Sequence, residues 1–198
     1  MSPAAAVGAQ VGVAVAAFAS TNLDNLALLV ALCADRRLRP RNIAFGQGLG
    51  MGVLVLASLA GAAGAFAAPP RWAGWLGLVP LALGVRGLVT LGAPSNRAGP
   101  RLEAAGERDR AQVIATAALT LAAGGDNLGV YIPLFAAGLS EIPIYVAVFA
   151  VMTPAWFRLA QWLADRPWKL VRIGVLGRVV QPVVLTGLGL RMLAGALS

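Results

Sequence analysis

The sequence predicts an all-α integral membrane protein with six transmembrane helices, arranged as two inverted three-helix repeats. Hydrophobic residues make up 59% of the 198 residues, charged residues make up only 12%, and the mean hydropathy is +0.77. A soluble domain has about 25% charged residues. Six apolar stretches have the length of a membrane-crossing helix, and two similar polar motifs lie about half the chain apart. These three observations lead to the predicted fold.

The six apolar stretches cover residues 7–33, 43–68, 72–92, 112–136, 142–163 and 174–196. A helix needs about 20 apolar residues to cross the hydrocarbon core of a bilayer. Backbone groups in that core have little water to bond, so only helices or a closed barrel can cross it. The stretches are too long for barrel strands of about ten residues, which leaves a bundle of helices.

The basic residues are concentrated in alternate connections between the apolar stretches. They are Arg36, Arg37, Arg39 and Arg41 in the first, Arg97, Arg101, Arg108 and Arg110 in the third, and Arg158, Arg166, Lys169, Arg172 and Arg178 in the fifth. The second connection has only Arg71, and the fourth has none. Because basic loops stay on the cytoplasmic side, we expect both termini on the opposite side. This pattern accounts for the net charge of +8, so membrane lipids are expected as partners and nucleic acid is not.

The two halves of the chain share two motifs in the same order. Asp24-Asn25 recurs as Asp126-Asn127 after 102 residues, and Leu83-Gly84-Val85-Arg86 recurs as Leu188-Gly189-Leu190-Arg191 after 105 residues. An odd number of helices in each half would invert the second copy in the membrane. We therefore predict a first repeat over residues 1–96, a linker over 97–111 and a second repeat over 112–198, within one membrane domain.

The two aspartates are the leading functional residues. An Asp at the centre of a transmembrane helix costs about 2.5–3.5 kcal/mol on insertion scales, so its presence indicates a use for the charge. Counted along their spans, Asp24 and Asp126 both lie about 15–20 Å from the cytoplasmic face, near the midplane. Transporters with inverted repeats bind their substrates at this depth, at the interface between the repeats.

The residues around these aspartates favour a divalent cation. Asparagine and threonine side chains would join two carboxylates in an oxygen-rich site, and Gly124, Gly125 and Pro133 would weaken the helix beside it. Two carboxylates about 5 Å apart repel by about 3 kcal/mol at an effective dielectric near 20, which a cation or a shared proton relieves. Competition between the two is a basis for proton antiport. The predicted ligands are Asp24, Asn25, Asp126, Asn127, Thr21 and Asn22.

In an alternative interpretation, the two aspartates have a structural role only. Each could pair with an interior arginine, Arg86 or Arg191, or could cap a helix break. A site neutralised in this way would have no driving force for cation binding.

Three further residues have two interpretations each. Tyr131, about one turn after Asp126, could donate to the site or to a neighbouring helix. Gln47 could line an access route, or it could bond to solvent or backbone. Cys33 is either a small buried hydrophobe or a transient contact for a soft metal.

Glycines and tryptophans indicate packing and anchoring. Gly46, Gly48, Gly50 and Gly52 form two overlapping Gly-x-x-x-Gly spacings, which are typical of close helix packing within a subunit or between subunits of a homo-oligomer. The tryptophans are interpreted as interfacial anchors. They are Trp72, Trp75, Trp156, Trp162 and Trp168.

Several function classes find no support. The single cysteine and the absence of histidine exclude a multi-cysteine metal cage and the commonest transition-metal ligand. No Ser-His pair, His-Glu-x-x-His run or nucleotide-binding loop supports an enzyme, a non-transporting assembly protein has no positive signal, and no ATP-binding domain supports primary pumping. We expect no cofactor: the transported cation is the substrate, and protons are the coupling ion.

Several segments resemble a known family. Ser20-Thr21-Asn22-Leu23-Asp24-Asn25, the pair Gly46-Gln47 and the run from Gly125 to Phe135 are similar to the signature segments of the cadmium-resistance transporter (Cad) family, within the lysine-exporter superfamily. The resemblance implies a bacterial cytoplasmic-membrane protein that exports divalent cations such as cadmium. Cadmium favours thiolate and imidazole, whereas an oxygen-lined site suits a harder ion such as manganese. The wider superfamily suggests an alternative substrate, a basic amino acid or another small organic cation.

Overall fold

The computed structural model describes residues 2–66, 75–91 and 109–197, apart from the side chains of residues 3, 66, 167–178 and 195–197. Within these ranges the chain forms eight helices and no strand, so the all-α prediction is confirmed there. The helices are α1 Pro3–Thr21, α2 Leu23–Ala34, α3 Pro40–Phe66, α4 Leu78–Val89, α5 Asp109–Ala123, α6 Gly125–Ala136, α7 Ile142–Ala164 and α8 Pro167–Leu197.

Three of these helices, α1, α3 and α7, are long and apolar enough to cross a membrane. The pair α5 and α6 makes a fourth crossing if its two helices, bent by 68° at their junction, form one span. Helices α2 and α4 and the segment Val179–Ala194 of α8 are apolar but shorter. The protein is therefore a membrane protein, and six spans remain a prediction. Parts of the predicted third span and most of the predicted linker lie outside the described residues.

The first and fourth predicted spans are each broken into two helices. Asn22 separates α1 from α2 with φ −101° and ψ 12°, and Gly124 separates α5 from α6 with φ −96° and ψ 14°. These two residues are 102 positions apart. The break at Gly124 was expected from its glycines, whereas the break at Asn22 was not. The Asn22 amide Nδ2 donates to the Phe18 carbonyl at 2.9 Å, and such local side-chain bonds compete with the helix.

Contacts between the two halves are reciprocal. Helix α3 packs on α5 and α6, whereas α7 packs on α1 and α2, and α4 packs on α8. A Cβ atom added to Gly84 would lie 2.5 Å from the Thr186 backbone nitrogen, and one added to Gly189 would lie 2.6 Å from that of Leu81. Both pairs of equivalent residues, 84 with 189 and 81 with 186, are separated by the offset of 105 seen in the sequence.

The core has two apolar clusters. The first contains Ala14, Ala17, Phe18, Met51, Leu54, Ala62, Val130, Tyr131, Leu134, Phe135, Ala136, Tyr145, Phe149 and Leu185. The second contains Leu26, Leu29, Val30, Leu32, Leu38, Ile43, Leu119, Phe157, Ala160 and Leu163. The first lies toward Glu141, at the start of α7, and we call that side the Glu141 end. The second lies toward the connection that carries Arg36 to Arg41, which we call the Arg-rich end.

Buried polar residues lie at the level where one apolar cluster gives way to the other. We call this set the polar layer: Ser20, Thr21, Asn22, Asn25, Gln47, Thr116, Thr120 and Asn127. It includes Asn22 at the first break and, about one turn to either side of Gly124 at the second, Thr120 and Asn127. Burying polar groups in this way is costly unless they are hydrogen-bonded, which makes the layer the first place to look for function.

Candidate functional site

Asp24 and Asp126 occupy the same position in the two broken helices. Each is the second residue of the helix that follows the break, in the first turn of α2 or of α6. Both side chains are half-buried. Because the N-terminus of a helix carries a partial positive charge, it stabilises a carboxylate placed there. The helix breaks therefore offset part of the cost of two carboxylates in an apolar bundle.

The next residue in each half is a buried asparagine. Asn25 is 2% exposed and Asn127 is 1% exposed. The Asn127 amide Nδ2 donates to the Asn22 side-chain oxygen over a long 3.4 Å contact. The structure thus brings the polar motif of the second half against the break of the first half.

Tyr131 joins the two motifs more firmly. Its phenolic oxygen accepts a 2.8 Å hydrogen bond from Asn22 Nδ2 and lies 3.2 Å from the hydroxyl of Thr21. The ring is fully buried. Of the two interpretations from the sequence, the structure shows the contact with a neighbouring helix, and the two residues contacted, Thr21 and Asn22, are among the predicted ligands.

Trp156 belongs to this region, so its interpretation as an interfacial anchor is wrong. Its indole nitrogen donates to the backbone carbonyl of Asn22 at 2.9 Å, and its ring meets that of Phe18 edge-on. The sequence held a signal, because Trp156 is well inside α7, whereas anchors are expected near the ends of spans.

Several buried polar atoms in the layer have no hydrogen-bond partner within the described residues. They are Asn25 Nδ2 and Oδ1, Asn127 Oδ1 and Thr120 Oγ1. A buried polar group left without a partner costs about 1–3 kcal/mol, and such groups mark places where an ion, a ligand or water completes the bonding. Thr120 is absent from the sequence prediction. Its signal was its position one helical turn before Gly124.

The composition of the layer limits how a metal ion could bind. Among the described residues, no three His, Cys, Asp or Glu side chains converge as a metal-binding group. A cation in the polar layer would therefore rely on amide and hydroxyl oxygens beside the two aspartates. Oxygen ligands of this kind suit hard or borderline divalent cations.

Gln47 and Cys33 differ in their position relative to the predicted ligands. Gln47 is buried in the layer, and its amide Nε2 donates to the Thr153 carbonyl at 3.3 Å, which is the backbone-bonded alternative. Cys33 is half-buried in α2, nine residues after Asp24, and is therefore about 13 Å farther along the helix axis. It cannot share one ion with Asp24.

Hydrogen bonds join the two halves of the chain at both ends of the bundle. At the Arg-rich end the Arg39 backbone N–H donates to Gln112 Oε1 at 3.2 Å, and at the Glu141 end Gln10 Nε2 donates to Glu141 Oε1 at 3.0 Å. Gln10 and Gln112 are 102 positions apart, as are Arg39 and Glu141. The two contacts thus join equivalent positions of the two halves.

An acidic side chain strengthens the Arg-rich end. Asp109, at the start of α5, accepts hydrogen bonds from Arg39 and Arg41 at 2.8 and 2.7 Å and from Asn42 Nδ2 at 2.9 Å. These bonds attach the first connection and the start of α3 to the start of α5. They hold the two halves together on this side of the polar layer.

Comparison with known proteins identifies the family. The family model described as cadmium resistance transporter (Cad) matches residues 18–197, which include both Asp-Asn pairs and the whole polar layer. Neither the curated proteins nor the solved structures gave a match. The family is one of transporters rather than enzymes, in agreement with the apolar helices. The chain belongs to the cadmium resistance transporter family.

Proposed function

We propose that the protein is a secondary transporter that exports a divalent metal cation, and that the polar layer is its binding site. One observation carries the proposal: among the described residues, the buried oxygens of Asn25, Asn127 and Thr120 have no hydrogen-bond partner, and Asp24 and Asp126 lie at equivalent helix starts next to the two asparagines. A dehydrated cation would supply a partner for these oxygens.

The ligand chemistry favours oxygen coordination of the cation. The chain has no histidine, and its single cysteine is about 13 Å from Asp24 along α2. Cadmium, the ion in the family's description, would then bind here through oxygen, and a harder ion such as manganese would fit at least as well. The family description favours a metal cation over a basic amino acid as the substrate.

Proton exchange is the proposed driving force. If the metal cation and protons compete for the same oxygen ligands, a proton gradient across the membrane can drive the export of the metal.

Reciprocal contacts support a six-span topology with inverted repeats. The helix breaks at Asn22 and Gly124 and the end contacts Gln10–Glu141 and Arg39–Gln112 share the offset of 102. In the two end contacts, the residues of the first and second halves exchange roles. A two-fold axis in the membrane plane would produce this pattern. With the basic connections in the cytoplasm, both termini of this inner-membrane protein would face outward.

Export assays with conservative variants test the site. Asp24→Asn and Asp126→Asn remove each charge with little change of shape, and we expect cells that produce either variant to accumulate metal like cells without the protein. Asp35→Asn is the matched control, because Asp35 is exposed in the first connection and bonds the backbone of Arg37. If both site variants, at equal membrane abundance, lower cellular metal as well as the parent, the proposed site is wrong.

Reconstitution tests the coupling and the substrate. In proteoliposomes, a pH gradient should accelerate metal flux in the direction opposite to proton flow. A flux that does not respond to the gradient would rule out antiport. Competition with cadmium, manganese and lysine in the same assay would rank the substrates, and inhibition by lysine alone would overturn the metal proposal.

A further inference from the structure

Aromatic rings fill the space on the Glu141 side of the polar layer. Phe18, Tyr131, Phe135, Tyr145 and Phe149 are each at most 1% exposed. The centroid of the Phe149 ring lies 4.5 Å from that of Tyr131, 5.5 Å from that of Phe18 and 6.1 Å from that of Phe135. We call these five residues the aromatic plug.

The plug extends from the polar layer to the Glu141 end. At one side the Tyr131 hydroxyl is bonded to Asn22 of the polar layer. At the other side the Tyr145 hydroxyl donates to Glu141, which also accepts from Gln10. The intervening ring of Phe135 lies 6.4 Å from Tyr145 and 6.3 Å from Tyr131. The other three residues of the plug are phenylalanines, so the plug has no polar side-chain atom besides these two hydroxyls.

The equivalent positions on the Arg-rich side are not aromatic. With the offset of 102, Phe18 corresponds to Thr120, and Phe149 corresponds to Gln47. Ala14 of the first apolar cluster corresponds to Thr116, which is also buried and polar. At two of the five plug positions the Arg-rich side thus has a hydroxyl and an amide. At the other three, those of Tyr131, Phe135 and Tyr145, it has Leu29, Cys33 and Ile43, which are smaller and not aromatic. The backbone positions of the two halves are thus equivalent, whereas the side chains on the two sides of the polar layer differ in polarity.

We propose that the substrate enters the polar layer from the Arg-rich end, past the members of the layer that the second half of the chain and α3 contribute, Gln47, Thr116 and Thr120, and that the aromatic plug is the barrier to the Glu141 end. This inference rests on the proposed transport of a cation. Polar groups can replace part of the hydration shell of an ion along its route, whereas a packed apolar constriction excludes water and closes a pathway. The hydroxyl of Thr120 has no hydrogen-bond partner among the described residues, so it is available to bind such an ion.

Accessibility of a single cysteine from each side tests the route. In a Cys33→Ala background, which has no other cysteine, Asn25→Cys places a thiol in the polar layer. Ser140→Cys and Arg36→Cys, both at exposed positions, identify which membrane face is the Glu141 end and which is the Arg-rich end. We expect a membrane-impermeant maleimide to label Asn25→Cys from the Arg-rich end at least about tenfold faster than from the Glu141 end.

Removing one ring tests the plug. Phe149→Ala should raise labelling of Asn25→Cys from the Glu141 end about tenfold, since a minor open state can gain this much population, and should leave labelling from the Arg-rich end unchanged. Phe157→Ala is the matched control, because Phe157 lies on the same helix in the second apolar cluster. If Phe149→Ala does not reach the membrane, Phe149→Leu makes the same test with a smaller change.

The outcomes separate the route from the function. Equal labelling from both ends in the parent, or no response to Phe149→Ala or Phe149→Leu, would overturn the route even if Asp24→Asn and Asp126→Asn abolish export. Labelling needs no metal. The expected labelling pattern can therefore be observed even if Asp24→Asn and Asp126→Asn still export metal, a result that would contradict the proposed function but not the route.

Discussion

The side-chain amide of Asn22 donates a 2.8 Å hydrogen bond to the phenolic oxygen of Tyr131. This bond attaches α6, in the second half of the chain, to the break between α1 and α2 in the first half. Trp156 of α7 bonds the backbone carbonyl of the same asparagine. Two helices of one half therefore hold the broken helix of the other, and the geometry of the polar layer depends on contacts between the halves.

Tyr131→Phe should weaken both stability and metal affinity. The change keeps the ring in the plug but removes one acceptor of the Asn22 amide, which then keeps only its local bonds to Phe18 and Thr21; the loss of a buried partner costs about 1–3 kcal/mol. Thermal unfolding in detergent and the metal concentration for half-maximal transport would measure the two effects. Tyr145→Phe is the control: its hydroxyl bonds Glu141 outside the layer, so the unfolding temperature should fall while the half-maximal concentration stays unchanged.

Asn25→Leu should stabilise the metal-free protein and abolish transport. Asn25 is buried with both polar side-chain atoms unpartnered, so an apolar side chain of similar size removes a burial cost of about 1–3 kcal/mol. The unfolding temperature should rise, and added metal should no longer raise it further. Asn42→Leu is the contrasting control, because the buried Asn42 amide donates to Asp109 and Gln112, and its loss should lower the unfolding temperature. A lower unfolding temperature for Asn25→Leu would contradict the assignment of Asn25 as a ligand.

Four of the glycines of α3, Gly46, Gly48, Gly50 and Gly52, should fall into two classes. A Cβ atom on Gly46 would lie 2.6 Å from the Val113 carbonyl oxygen, and one on Gly50 would lie 2.7 Å from Thr120 Cβ. Gly46→Ala and Gly50→Ala should each destabilise the protein by about 1–3 kcal/mol, because α3 and α5 must move apart.

A Cβ atom on Gly48 or Gly52, the other two of these four glycines, would meet nothing within 4 Å. Gly48→Ala and Gly52→Ala should therefore be neutral, or should stabilise the helix by up to about 1 kcal/mol. Unfolding in detergent would compare all four variants. If a detergent-stable oligomer is lost in Gly48→Ala and Gly52→Ala but not in the other two variants, the face of α3 that carries Gly48 and Gly52 is a subunit interface.

Trp156 should report metal binding. Its indole bonds the break residue Asn22, so an ion that draws in the neighbouring oxygens should change the environment of this indole. We expect a metal-dependent change of tryptophan fluorescence in the parent and its loss in Trp156→Phe. Trp75→Phe, at an exposed position of the chain, should retain the change. A signal that persists in Trp156→Phe would show that the break does not respond to the metal.

Much of the fold follows from local patterns. Apolar stretches of about 20 residues predict helices whatever their neighbours are, because backbone groups in a bilayer must be bonded within the segment. The glycines before Asp126 predicted the second break, since they weaken the helix locally. The first break was not predicted, because Asn22 leaves the helix through bonds to Phe18, Tyr131 and Asn127, and the latter two partners are more than 100 residues away in the chain.

The same distinction applies to the site. Asp24, Asn25, Asp126 and Asn127 were evident because polar residues in apolar spans stand out. Thr120 and Trp156 were not, because a threonine or a tryptophan in such a span is ordinary until its neighbours are known. Close helix packing was evident from the glycine spacing, whereas the tertiary contacts decided which glycines face α5.

The sequence by itself determined the helical membrane class, the repeated Asp-Asn motif and its offset of 102 residues, since these depend only on residue type and order. The tertiary structure decided that the two breaks share one backbone conformation, that buried oxygens near them lack partners among the described residues, and that five aromatic rings pack together on the Glu141 side. These properties arise from contacts between segments far apart in the chain, and no local pattern encodes which distant side chain will supply or withhold a hydrogen bond.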